Sequence, residues 1–131
     1  MEALARLRQK GLRLWLLSNA QRVFTAYELQ HLGLGEQLDG IFISSDYGCR
    51  KPDQRFYRVL MQERGLDPEH CLMIGNDRET DIAGAKAAGL ATFYMHTDLT
   101  PGDQAPADPS DPMEFEGDDW EVIAKMLCKL I

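Results

Sequence analysis

Cysteine is scarce and carries no pattern. Cys49, Cys71 and Cys128 are an odd number, scattered and without CxxC spacing. That excludes a self-contained disulfide framework and disfavours a metal–thiolate site, so free thiols in a reducing cytoplasm are the plain reading. Long apolar runs are missing as well: none approaches the roughly 20 residues needed to cross a bilayer. The charged start MEALARLRQKG lacks the apolar centre of a secretory signal. Positive charge is in deficit, with 14 Lys and Arg against 21 Asp and Glu and a net charge of −7. Such a balance argues against nucleic acid or an anionic membrane as partner, although it leaves room for a small basic pocket. Neither GxGxxG nor GxxxxGK[ST] occurs, which disfavours an unrelated nucleotide-binding domain. Apolar residues, by contrast, are plentiful. At 44% of 131 residues they suffice for the core of one domain.

Along the chain, helical and extended patterns alternate. Leu4 and Leu7 sit at helical spacing among Arg6, Arg8 and Lys10, and Gly11 ends that segment. The run LRLWLL, Leu12 to Leu17, reads as a strand leading into Ser18-Asn19. A helix is expected from about Arg22 to Leu32, stopping at Gly33-Leu34-Gly35. Ile41-Phe42-Ile43 reads as a strand, and Lys51-Pro52-Asp53 as a helix start that runs on to Gly65. Cys71 to Ile74 reads as a short buried strand. After it come the polar turn Gly75-Asn76-Asp77 and an Ala-rich helix from Thr80-Asp81 to Gly89. Ala91 to Met95 is a further strand. Residues 98–119, with Pro101, Pro106, Pro109, Pro112 and many acids, read as a long surface loop in which Met113 to Phe115 can add an edge strand. Residues 120–131 close the chain as an amphipathic helix. Strand–helix alternation of this kind implies a parallel sheet with right-handed crossovers, an α/β doubly wound fold.

Ligands of such sheets bind outside the carboxyl ends of the strands. Ser18 and Asn19 follow the first strand, Lys51 the second, and Asp77 with Asp81 the third. A hydroxyl and backbone amides can hold phosphate oxygens, and an ammonium can neutralise charge that develops on them. Two carboxylates can hold Mg²⁺, a hard cation that prefers oxygen ligands. Each part alone has an ordinary structural reading. Ser18-Asn19 can cap a helix, Lys51 can be a solvated helix start, Asp77 can serve the turn, and Asp81 can complement a helix dipole. Their shared position at consecutive strand ends is what points to a site. His31, His70 and His96 read as surface or capping residues, and Trp15 and Trp120 as core packing.

LLSNA, RKPD and IGNDRETDIAGAKAAG resemble the second, third and fourth motifs of the haloacid dehalogenase-like hydrolases. The resemblance runs from about Gly11 to Thr97 and implies a three-layer Rossmann-like domain with a mostly parallel sheet. It implies catalytic roles for Ser18 and Lys51, substrate binding by Ser18, Asn19 and Lys51, and a Mg²⁺ held by Asp77 and Asp81. Asn76 stands where many members carry an aspartate directly after the glycine, so which of Asn76, Asp77 and Asp81 touches the metal stays open.

That family attacks its substrate with an aspartate of an Asp-x-Asp motif at the end of a central strand, forming an aspartyl-phosphate. No Asp-x-Asp occurs in this chain. The resemblance therefore implies a partial core domain, residues 1–131, without the first central strand and without a cap. Its function would be that of a Mg²⁺-dependent phosphomonoesterase, truncated and by itself inactive, with weak or absent Mg²⁺ binding. The alternative is a non-catalytic domain that binds a phosphorylated ligand or a protein partner. The expected partner is a small phosphorylated substrate, with no nucleic acid and no membrane. In the family strand order the absent strand lies between those beginning at Leu12 and Cys71. That predicts an open slot, so that the isolated chain is poorly stable, self-associates through the incomplete sheet, or closes the gap by re-pairing.

Overall fold

The computed structural model of the chain describes residues 2–18, 39–117 and 119–130. Two compact units comprise Met1–Arg50 with Asp119–Ile131, and Lys51–Asp118.

In the first unit, helix α1 (Glu2–Gln9) precedes strand β1 (Trp15–Ser18), and strand β2 (Gly40–Ile43) lies parallel to it with Trp15 opposite Gly40. β1 starts later than the apolar run suggests. Leu14 donates its amide to the Asp39 carboxylate at 2.6 Å and accepts from the Asp39 amide at 2.6 Å, which closes the entry to the ladder just before Trp15. The amide of Leu14 and the nearby Arg8 hold the Asp39 carboxyl below its usual range despite some burial. Helix α1 packs against the C-terminal helix. Leu7, Ile123, Ala124 and Leu127 are buried there. The helix expected near Arg22–Leu32, together with His31, lies outside the described residues.

The second unit opens at a cis Lys51–Pro52 bond. Helix α2 (Gln54–Arg64) follows, with Asp53 rather than Pro52 at its start. The Asp53 carboxylate accepts the Arg55 amide at 2.9 Å, and Gly65 closes the helix at φ 61°, a left-handed conformation that costs glycine least. Strand β3 (Leu72–Gly75), strand β4 (Ala91–His96) and strand β5 (Glu114–Glu116) form one parallel ladder in that order. Central β4 is the buried one, through Phe93, Tyr94 and Met95. β3 is less buried than its apolar sequence suggests, because it ends the ladder: Leu72 remains 37% exposed. Between β3 and β4 the chain forms a π-helical turn (Arg78–Ala83) that runs into the short helix α3 (Gly84–Ala87). This helical stretch starts two residues earlier than Thr80, because Asp77 is its cap; it stops at Gly89, at φ 90°.

Buried Phe56, Tyr57, Leu60 and Met61 of α2, Ile82 and Ala85 of the helical stretch, and the three β4 residues make this unit's core. Each of the larger apolar side chains among them contributes about 1.5–3 kcal/mol on burial. Helix α4 (Trp120–Leu130) closes the chain in the first unit. Trp15 and Trp120 are only half-buried, and neither belongs to the buried core. His70 is exposed beside Asp67, and His96 pairs with Glu116 across β4 and β5. Among the described residues all three ladder pairings are parallel, and the β3–β4 pair is joined by a helical crossover as strand–helix alternation requires.

Candidate active site

The carboxyl end of β3 organises the site. After Gly75 the chain turns through Asn76 and Asp77, and the Asp77 carboxylate accepts the amides of Glu79 at 2.9 Å and Thr80 at 3.0 Å. These are donors that a helix start leaves without partners. The Asp77 carbonyl then accepts from both Asp81, at 3.0 Å, and Ile82, at 3.1 Å. That wider winding is a π turn, a rare form concentrated at functional sites. It delivers Asp81 to the back of Gly75.

Contact there is close enough to dictate the residue type. A Cβ on Gly75 would lie 2.3 Å from the Asp81 Cβ and 2.4 Å from its Oδ2. Only glycine leaves room for the carboxylate. Asp81 is 6% exposed, and each of its oxygens has a partner. Oδ1 accepts from the Lys51 ammonium at 2.6 Å, and Oδ2 from the Asp77 amide at 3.3 Å. Lys51 is 11% exposed at its side chain, so the pair is largely withdrawn from water. Removing one partner of a buried pair costs about 3–5 kcal/mol, because the other charge is left uncompensated.

Tyr57 supports the arrangement from α2. Its ring is fully buried, and its hydroxyl donates to the carbonyls of Thr80 at 2.7 Å and Asp81 at 3.4 Å. Burial, reinforced by the Asp81 charge, pushes this phenol above its usual range and keeps it a donor. A Cβ on Gly84 would stand 3.0 Å from the Tyr57 hydroxyl and 3.0 Å from Pro52, so α3 approaches α2 through a glycine. Sequence reasoning did not single out Tyr57.

The expected residues are brought together in part. Lys51 and Asp81 are in direct contact, and Asp77 adjoins Asp81 through its amide. The Asp77 carboxylate itself is engaged by the Glu79 and Thr80 amides and by the Gln104 side chain at 3.0 Å. Burial raises the Asp77 pKa, but the Gln104 hydrogen bond and the two amides outweigh it and hold the group below the usual aspartate range. Asn76 donates from its side chain to the Thr97 hydroxyl at 3.4 Å, and Ser18 ends β1 in the other unit. Asn19 lies outside the described residues.

Carboxylates are the right chemistry for a hard divalent cation. Among the described residues, no group of three or more acidic, histidine or cysteine side chains gathers to hold one. Asp77 and Asp81 fit such an ion by donor type but supply only part of a coordination shell.

A family model described as haloacid dehalogenase-like hydrolase matches residues 1–89. A phosphoserine phosphatase from Thermus thermophilus is 33% identical over 100 residues, which cover 76% of this chain and 40% of that protein. A glyceraldehyde 3-phosphate phosphatase from Methanothermobacter thermautotrophicus is 31% identical over 117 residues, covering 89% of this chain and 49% of its own. Among solved structures, the HAD-hydrolase YfnB from Bacillus subtilis bound to magnesium aligns with a TM-score of 0.77 and 26% identity. That alignment covers 96% of this chain and 53% of YfnB. A HAD phosphatase from Thermococcus onnurineus, 21% identical with a TM-score of 0.78, shares the fold over 97% of this chain and 55% of its own. The chain thus spans less than half the length of these two curated relatives.

Proposed function

The chain belongs to the haloacid dehalogenase-like hydrolases, and from that premise we propose that it carries the charge-stabilising part of a phosphomonoesterase site. The Lys51–Asp81 pair is the observation that carries this reading, at 2.6 Å and directly behind the glycine that ends β3. Asp81 fixes the ammonium by a charge-assisted hydrogen bond, so Lys51 meets the phosphoryl group already oriented. Its positive charge then offsets the negative charge that the oxygens gather in the transition state. Ser18 and the Asn19 amide are assigned to phosphate oxygens. Asp77 and Asp81 are assigned to Mg²⁺, which when bound supplies further neutralisation of phosphate charge. Phosphatases among the relatives support a small phosphorylated substrate.

The attacking aspartate is not in this sequence, because no Asp-x-Asp occurs in it. We assign that nucleophile, with its strand, to a segment outside this sequence, and regard residues 1–131 as a partial core domain. Bond making to phosphorus therefore has no candidate here, while charge stabilisation does. An aryl phosphate assayed with Mg²⁺ tests the proposal on this chain and on a chain extended upstream. Turnover is expected only from a chain that gains an Asp-x-Asp after an apolar run, and Lys51→Ala should abolish it. Robust turnover by the present chain, lost on Lys51→Ala, would overturn the assignment of the nucleophile.

A further inference from the structure

Within the acidic, proline-rich segment after β4, one glutamine bonds directly to the turn that carries Asp77. Gln104 accepts the Arg78 amide on its Oε1 at 2.7 Å and donates from Nε2 to the Asp77 carboxylate at 3.0 Å. One side chain thus engages both the cap and the first amide that the cap does not reach. With Glu79 and Thr80 bonded to Asp77, three amides at this helix start are all satisfied.

Gln104 is itself held in place. The Arg78 guanidinium donates to the carbonyls of Ala105 at 3.3 Å and Pro106 at 2.9 Å, and to Glu114 at 2.9 Å. It also lies 3.8 Å above the Tyr94 ring, whose hydroxyl donates to Ala105 at 2.8 Å. Glu114 accepts the Asp108 amide at 2.9 Å. Residues 104–108 are therefore fastened at both ends of Gln104's reach.

We propose that Gln104 is a positioning residue, bracketing the turn Asp77–Arg78 so that residues 104–108 strap the site's carboxylates in place. Its consequence for phosphate binding rests on the phosphomonoesterase reading, whereas the bracket does not. Closing the helix start also leaves its amides unavailable to an anion, which gives the charge work to Lys51.

Native-state amide exchange on the unsubstituted chain, Gln104→Ala and Gln104→Glu tests the bracket. Glutamate keeps an acceptor for the Arg78 amide but replaces the donor to Asp77 with a second carboxylate, which Asp77 repels. Arg78 exchange should accelerate roughly tenfold in Gln104→Ala and by less in Gln104→Glu. Glu79 and Thr80 exchange should rise in both variants, with the thermal midpoint little changed. Inorganic phosphate with Mg²⁺, titrated into the upstream-extended chain with and without each substitution, should bind more weakly to both variants. Unchanged Arg78 exchange in Gln104→Ala overturns the bracket. Failure of the upstream-extended chain to bind phosphate counts instead against the phosphomonoesterase reading, and exchange still decides the bracket.

Discussion

Gly75 carries no side chain, and the carboxylate of Asp81 occupies the space that one would fill. At the scale of single residues, this contact links the end of a strand to the charge pair. A methyl group 2.3 Å from the Asp81 Cβ cannot be accommodated by a small rotation, because the π turn and Tyr57 hold Asp81 from behind. Gly75→Ala is expected to cost at least the 1–3 kcal/mol or so of an overpacked core, and to displace Asp81 from Lys51. Denaturant unfolding measures the first effect, and the chemical shift of the Lys51 ammonium reports the second. An alanine variant as stable as the original chain would contradict this account of Gly75.

Among the elements, the π turn and the strap depend on each other. Glu114 on β5 connects them: the Arg78 guanidinium holds its carboxyl below the usual glutamate range, against the opposing effect of burial. A pKa depressed in the folded state stabilises that state at pH above the unfolded value and ceases to do so as pH falls through the folded one. The strap should therefore stay closed near neutrality and loosen as acid protonates Glu114, starting below the ordinary glutamate range. Protection of the Asp108 amide, its exchange relative to an unstructured amide at the same pH, should fall in that window as pH is lowered from neutrality. In Glu114→Gln that protection should be low and nearly independent of pH there. A rise in protection on acidification would refute the sign of this coupling.

For the whole molecule, the order β3-β4-β5 leaves β3 at the end of its ladder, with Leu72 partly exposed beside it. Unpaired strand edges recruit other strands. If the nucleophile-bearing strand belongs beside β3, the present chain should associate with itself as its concentration rises. The upstream extension should suppress that association. Sedimentation equilibrium distinguishes the two proteins, and a monomer that unfolds cooperatively at every concentration would contradict the prediction.

Much of this was legible in the chain itself. Apolar runs of strand length alternating with helical spacing are local signals, so the parallel α/β order and the motif turn at Gly75-Asn76-Asp77 could be read directly. Lys51 and Asp81 could be named as chemistry-bearing residues from their places after consecutive strands, and the lack of Asp-x-Asp is a property of the sequence alone. Tertiary structure decided what each group touches. It turned Asp77 toward helix amides and Gln104, gave Asp81 to Lys51, and brought Tyr57 to the π turn from 23 residues away. Gln104 lies 27 residues from Asp77 in a loop without periodicity. No local pattern marks such a partner, because the hydrogen bond exists only once β4 has carried the chain back beside β3.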